Sequence, residues 1–538
     1  MKILPQTAAV LAALAGNTGS NPQDDPASLA EACPDFLEYS QVKHGPYSEG
    51  PLKLSFQRPA EPCRTFSSPL VEKVIEDVTS RMVDKDLAQL FRNAFPNTVD
   101  TTVRWHVSGK ERRSKKSKQH PQDEAWQGPQ SFIVTGDINA EWLRDSTNQL
   151  SPYQALANKD PKIKALILGA INTQVEFVLQ SPYCNAFQPP PPSGLAPIPP
   201  TQEDTVHPAY EESVVFECKY ELDSLANFLA LGNKFYAETK STDFVSDRWY
   251  QAVHTVLQVI QEQSEPTFDE QGQYFRNEYT FTRMTNVGTE TLNLGGIGNP
   301  LNNATGLVRS AFRPSDDAST FGFLIPANAQ MAVELKRTAK TIKAAGGPHN
   351  LIKKLEDRAN IIEQGIREHG VVLHKKFGEV YAFEVDGYGS RLLMDDANLP
   401  SLLALPLLGF VDKHDKIYQN TRKMILSKAG NPYYLTGSAF HGIGGPHIGV
   451  ENAWPMSVLV RAHTSDDDDE ILESINMVRD ASLLGLIHES VNVNNVADYT
   501  RSWFAWANSV FAQTILDLAV RKPHLIFEKG AAPYIVGE

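Results

Sequence analysis

Apolar residues recur at helical spacing in stretch after stretch of this chain, and little else in it is periodic. From Pro69 onward, VEKVIEDVTSRMVDKDLAQLFRNAF sets apolar side chains three and four apart, the spacing of one helix face. The same rule runs through KIKALILGAINTQVEFVLQ, ELDSLANFLALGNKFYAE, DRWYQAVHTVLQVIQEQ, ANAQMAVELKRTAKTIKAA, NLIKKLEDRANIIEQGIREH, SLLALPLLGF, HDKIYQNTRKMIL, WPMSVLVRAHT, DEILESINMVRDASLL and WANSVFAQTILDLAV. Strand signals are few and short, EVYAFEV near Glu379 being one. Long loops carrying Gly, Pro, Asn and aromatic residues separate the helices. This pattern predicts an all-α fold, one closed (α/α)6 toroid of paired helices with long loops and a few short strands. A helical bundle with a small β domain is the other architecture it allows. Residues 67–538 read as a single domain, preceded by a Pro-, Ser- and acid-rich lead-in over residues 16–66.

The N-terminus, MKILPQTAAVLAALAGNTG, has one early lysine, a short apolar run and Ala13-Leu14-Ala15 as a cleavage pattern. Residues 1–15 therefore read as a signal peptide, and the chain as secreted. No other segment is apolar for the ~18 residues that a membrane helix requires. The formal charge of −14 disfavours nucleic acid and anionic membranes as partners. Cys33, Cys63, Cys184 and Cys218 make an even set, as an oxidising compartment favours. Three pairings exist; Cys33–Cys63 and Cys184–Cys218 are preferred because each closes a local loop. The second would clip the proline-rich NAFQPPPPSGLAPIPPTQED excursion. Asn303-Ala304-Thr305 is a glycosylation sequon.

Several chemistries find no motif. Gly296-Ile297-Gly298 and Gly442-Ile443-Gly444 lack the third glycine of a dinucleotide site, and neither a P-loop nor a nucleophile elbow is present. His488-Glu489 opens a zinc-binding H-E-x-x-H, but Asn492 stands where its second histidine would be. The cysteines lack C-x-x-C spacing. No metal or cofactor is expected.

What remains is acids, Trp and Arg gathered on loops between helices. Trp142-Leu143-Arg144-Asp145-Ser146 combines an aromatic face with hydrogen-bonding charge, as a sugar clamp requires, although Asp145 or Ser146 would also serve as a plain helix cap. In ECKYELDSLAN, Tyr220, Asp223 and Asn227 form a polar stripe beside a leucine stripe, which places Asp223 at the start of an inner helix facing a cavity or solvent. Met394-Asp395-Asp396-Ala397-Asn398 before Pro400 reads as acids at a helix N-terminus. Gly444-Gly445-Pro446-His447 followed by Trp454-Pro455 suggests a turn presenting one histidine. His488-Glu489-Ser490-Val491-Asn492 precedes Tyr499-Thr500-Arg501-Ser502-Trp503-Phe504-Ala505-Trp506. Trp503 and Trp506 fall on one helical face, with one of the two expected in the core.

The strings GDINAEWLRDS, YELDSL, MDDANLPSLL, GGPH with WPMS, and HESVN followed by YTRSWFAWAN resemble, in this order, glycoside hydrolase family 125, the exo-α-1,6-mannosidases. The resemblance spans about residues 69–525. It implies the (α/α)6 toroid, a metal-independent inverting mechanism and release of non-reducing terminal α-1,6-linked mannose; the expected partner is a mannose-containing glycan and the expected state a monomer. It implies Asp223 as general acid and Glu489 as general base. Sugar binding is implied for Trp142, Arg144, Asp145, Asp395, Asp396, His447, Asn492 and Arg501. The chain departs from the family pattern at Asn139, Glu141, Val491 and Ser502, which leaves subsite preference open. Inversion requires carboxyl groups roughly 6.5–9.5 Å apart, against about 5 Å for retention. Another toroidal glycosidase of glucoamylase or trehalase type, or a binding protein without turnover, are the competing functions.

Overall fold

The computed structural model describes residues 33–109, 125–302 and 305–537. The signal-peptide segment, the KERRSKKSKQHPQDE loop and the Asn303 sequon lie outside these residues.

The helices alternate between an inner and an outer ring. The outer ring begins after α1 (Pro69–Arg81), with α2 (Lys85–Ala94). Then α3 (Leu143–Leu150) lies inside, α4 (Pro161–Gln180) outside, α5 (Leu222–Thr239) inside and α6 (Asp247–Glu262) outside. The alternation continues with α7 (Ile325–Ala344), α8 (His349–Gly365), α9 (Leu405–Leu408), α10 (Lys416–Ile425), α11 (Pro455–His463), α12 (Asp468–Ala481) and α13 (Ala505–Arg521). Inner helices pack on one another around the ring: α3 on α5, α5 on α7, α7 on α9, α11 on α13, and α13 back on α3. Outer helices back them, α8 against α7, α12 against α11 and α2 against α13. Inner α5 and α13 are buried on nearly every side, Leu222 to Leu231 without interruption, so apolar residues surround them. Among the described residues no helix is long and apolar enough to cross a membrane.

The two rings start their helices differently. Outer helices are capped by side chains: Ser68, Asp84, Asp160, Ser246, Asp415 and Asp467 each accept from N–H groups of the first turn, with α8 the exception. The inner helices follow Trp142, Glu221, Leu324, Ala404, Trp454 and Phe504, and none of these caps with its side chain. Their first N–H groups are taken by neighbouring loops instead. Leu143 N donates to Asn185 O, Leu222 N to Ser310 Oγ, Ile325 N to Phe383 O and Phe504 N to Ile487 O, all within 3.2 Å. Four of the six inner helices are thus stitched at their N-termini to an adjacent loop, and those loops converge at one end of the ring.

Two predicted helices differ. The first run breaks at Met82-Val83-Asp84, because the Asp84 carboxylate accepts from Asp86 N and Leu87 N and starts a second helix. SLLALPLLGF shrinks to the single turn α9. Asp395 already accepts the N–H groups of Leu402 and Leu403, and Gly409 ends the turn at φ 86°. Pro400 therefore lies in the approach to that turn and not at a helix's first position. The lead-in, from residue 33, carries a one-turn helix Phe36–Tyr39 and packs on the body, with Arg58 bonded to both Glu72 and Asp100.

Cys33–Cys63 and Cys184–Cys218 are disulfides, as an oxidising compartment favours. The second crosses the base of a three-stranded sheet ordered Glu141–Trp142, Ala186–Phe187, Val215–Glu217. The first of these strands delivers Trp142 and Arg144 to the start of α3. Replacing Cys184 and Cys218 together by Ser should cost roughly 3–4 kcal/mol, read as a lower urea midpoint; an unchanged midpoint would show that the sheet holds without the clip.

Candidate active site

The loops that feed the inner helices enclose a cavity at the N-terminal end of the ring. Its apolar wall is Trp142, Trp454, Phe504 and Trp506; its polar wall includes Arg144, Asp145, Asp316, His447, Glu489 and Arg501. Flat indole faces suit the C–H face of a sugar ring, and hydrogen-bonding groups between them suit its hydroxyls. Trp142 Nε1, Trp454 Nε1, Trp506 Nε1, Thr135 Oγ1 and Asp145 Oδ2 are buried and make no hydrogen bond to the protein. All belong to residues that line this cavity.

Arg144, in the first turn of α3, is the centre of the polar wall. Its Nη1 lies 2.5 Å from Glu221 and 3.3 Å from Asp223, its Nη2 3.3 Å from Asp316, and its Nε 3.5 Å from Asp145. The guanidinium also stacks over Trp506 at 5.5 Å. Four carboxyls around one buried guanidinium cannot all be ionised, because each unpaired buried charge loses its hydration. Burial pushes Glu221 well above the usual carboxylate range, Asp145 up to about 7 and Asp223 up to about 6, with Arg144 opposing in each case. Burial also acts on Asp316, but Arg144 and Lys219 outweigh it and draw that carboxyl down to about 2.

Glu489 stands on another wall, in the loop before α13. Thr500 Oγ1 donates to one of its oxygens at 2.7 Å, and Arg501 Nε lies 3.4 Å from the other. Arg501 is anchored in turn by Asp137 at 3.0 Å. Asp137 follows Gly136, whose φ of 135° and close approach to Trp503 leave no room for a side chain: a Cβ would come within 2.7 Å of the ring. His447 faces the same space, 3.7 Å from Asp317. Burial would lower its pKa, yet Asp317, Asp316 and Glu489 together hold it up to about 9.

The structure brings Trp142, Arg144, Asp145, His447, Glu489 and Arg501 to one cavity. It does not bring the other expected residues there. Asp223 stands in the first turn of α5 but is fully buried against Arg144 and does not line the cavity. Asp395 is occupied by Leu402 N and Leu403 N. Asp396 accepts from Ser315 Oγ and Asn398 N, and so sits behind the wall. Asn492 lies in a short strand where its Oδ1 accepts from Asn494 N, forming a turn. Arg144 and Asp145 lie inside the first turn of α3, so neither Asp145 nor Ser146 is its cap. Trp503 precedes α13 and packs edge-on against Phe36, while Trp506 lines the cavity.

The acid that sequence reasoning missed is Asp316. Its turn is closed by Asp316 N to Arg313 O and Arg313 N to Asp317 O, and it holds φ at 65°, unfavourable for a residue with a side chain by about 1 kcal/mol or more. Such a conformation, maintained at a cavity wall, is a mark of function. The one visible signal was a Pro-Ser-Asp-Asp run in a loop between helices.

His447 yields a prediction. Its folded-state pKa is raised above the usual 6.5, so its contribution to stability is full below pH 6.5 and disappears as pH rises towards 9. The difference in urea midpoint between the wild type and His447→Gln should shrink across that window; a pH-independent difference would mean that no imidazolium pairs with Asp317.

Comparison with known proteins agrees with the geometry. The chain matches the family of metal-independent alpha-mannosidases (GH125) over residues 84–516. The meiotically up-regulated gene 157 protein of Schizosaccharomyces pombe is 53% identical over 498 residues, 92% of this chain and 94% of that protein. A Streptococcus pneumoniae structure from work on metal-independent alpha-mannosidases, a non-productive substrate complex with alpha-1,6-mannobiose, has a TM-score of 0.73 at 30% identity. That match covers 84% of this chain and 99% of the bacterial one. With the family matched over most of its length and the toroid shared, the chain belongs to glycoside hydrolase family 125, the metal-independent alpha-mannosidases.

Proposed function

We propose that this chain is an exo-acting α-1,6-mannosidase of the secretory route that works with inversion, Asp316 as general acid and Glu489 as general base. The observation that carries the reading is that Asp316 and Glu489 are separate carboxyl groups on the wall of one cavity, each with its own arginine. The aromatic wall and the buried polar atoms around it suit one terminal sugar. The bacterial relative crystallised with α-1,6-mannobiose supports the choice of linkage.

In this mechanism the C1–O bond breaks as a proton from the Arg144 carboxyl cluster passes through Asp316, its cavity-facing member, to the glycosidic oxygen. Glu489 takes a proton from the water that attacks C1 on the opposite face, and the product leaves with inverted configuration. Arg501 and Thr500 orient the Glu489 oxygens towards that water. Trp142 and Trp506 stack on the sugar, while Asp145, Arg144 and the His447 imidazolium bond its hydroxyls.

A second reading keeps Asp223 as the acid. Its favouring observation is a carboxyl raised to about 6, which retains a proton in mildly acidic solution. Its position below Arg144 argues against it, because a general acid must come within hydrogen-bond reach of the leaving oxygen.

The test compares Asp316→Asn, Asp223→Asn and Glu489→Gln on α-1,2-, α-1,3- and α-1,6-mannobiose, with the product anomer followed by NMR. Wild type should release β-mannose from the α-1,6 substrate, and Asp316→Asn and Glu489→Gln should each lower kcat by about 10²–10⁴-fold. Near-normal turnover by Asp316→Asn, with loss in Asp223→Asn, would transfer the acid role to Asp223. Release of α-mannose would remove inversion.

A further inference from the structure

Among the carboxyls around Arg144, the one bound most closely does not line the cavity. Glu221 lies immediately before α5, is 1% exposed, and receives Arg144 Nη1 at 2.5 Å. It is held side by side with Asp316 by shared donors. Asn185 Nδ2 lies 3.2 Å from Glu221 Oε1 and 3.3 Å from Asp316 Oδ1, while the two Nη atoms of Arg144 reach one carboxyl each. Ser224 Oγ donates to Glu221 Oε2 at 2.8 Å. Asp223 shares Arg144 but not the Asn185 bridge.

We propose that Glu221 is a positioning residue that stores the proton Asp316 delivers to the leaving group, so that the buried and the cavity-facing carboxyl work as one donor. This rests on the assignment of Asp316 as the acid.

Two adjacent carboxyls in a dry site keep one proton between them, since both cannot ionise together. The enclosed member keeps it at rest, because Asp316, with its side chain 25% exposed and Arg144 beside it, is the better placed to carry charge. Burial, with Asp316 adding, raises Glu221 well above the usual range and fits that distribution. During the reaction the proton passes from a Glu221 oxygen to Asp316 and on to the glycosidic oxygen, which receives the electron pair of the broken C1–O bond. Glu221 is left as a carboxylate facing Arg144. Glu489 gains the proton lost by water as the water oxygen bonds to C1. After product release Glu489 returns its proton to solvent, and the pair regains one through Asp316, its exposed end.

Glu221→Gln separates storage from structure, because an amide fills the same space and offers no transferable proton. The readout compares α-1,6-mannobiose, whose leaving sugar needs a proton, with 2,4-dinitrophenyl α-mannoside, whose leaving group does not. The variant's kcat/KM should fall about 10²-fold further on mannobiose than on the dinitrophenyl substrate, the size of a lost general-acid contribution. An equal fall on both would show that Glu221 only seats Arg144, and no fall on either that Asp316 charges directly from solvent; each overturns the proposal. Should that variant not fold, Ser224→Ala removes a donor to the Glu221 carboxylate and should move the alkaline limb of the mannobiose kcat/KM profile upward; an unmoved limb would overturn it too. Failure of the underlying reading looks different. Wild type would then cleave neither mannoside, or Asp316→Asn would itself show no split between the two.

Discussion

Arg144 is the charge on which the rest of the site depends. It enters the cavity in the first turn of α3, is buried, and meets Asp145, Glu221, Asp223 and Asp316 within 3.5 Å. Its guanidinium, helped at Asp316 by Lys219, makes such a density of acids tolerable, yet its single charge cannot ionise all of them. The surplus acid is what keeps protons inside the protein near neutral pH. Removing Arg144 would leave buried carboxyls without a counter-charge, which costs far more than a surface ion pair contributes. The strand Glu141–Trp142, the Cys184–Cys218 clip and the Asn185 carbonyl that accepts Leu143 N all fix where this residue stands.

The ring explains why these groups meet at all. Inner helices gain their stability from burial on nearly every side and take their first N–H partners from adjacent loops. Outer helices are solvated on one face and start on Ser or Asp caps. The inner N-termini are therefore free to be entered by long loops, and chemistry concentrates there. Trp142, Trp454 and Phe504 each stand immediately before an inner helix and form the aromatic wall. Where a capping serine would serve a helix, this fold uses the position for a ring that lines the cavity.

That division also decides what could be read from residues alone. Outer α4, α10 and α12 follow the capping residues Asp160, Asp415 and Asp467, and their periodicity agrees with the structure. Inner α3 carries no cap and is short, so Arg144 and Asp145 looked like its approach when they are its first turn. The site was half legible. Local pattern together with family resemblance marked Trp142, Arg144, His447, Glu489 and Arg501, because each lies in a string dense with acids or aromatics. Asp223, Asp395, Asp396 and Asn492 do not line the cavity, and neither spacing nor resemblance can tell an acid that faces a cavity from one, such as Asp395, that holds backbone N–H groups a few residues away. Asp316 was missed for the opposite reason. It reaches the cavity through a left-handed turn closed by Arg313 and Asp317, and backbone conformation of that kind leaves little trace in one sequence.

The two walls differ in how charge is shared, and the proposed roles rest on that difference. On the Arg144 side, one cation serves four carboxyls, so protons are retained and a donor is at hand. On the other side, Arg501 lies within 3.4 Å of Glu489 and Asp137, and Thr500 donates to the remaining Glu489 oxygen. Glu489 is thus held in place by a cation at one oxygen and a hydroxyl donor at the other. In the proposed mechanism, acid and base differ in their surroundings and not in residue chemistry, the same way that unlike surroundings separate paired carboxyls in other glycosidases. His447 connects the halves. Its imidazolium is held by Asp317 and Asp316 on one side and by Glu489 on the other, so the charge at the cavity mouth depends on both walls at once.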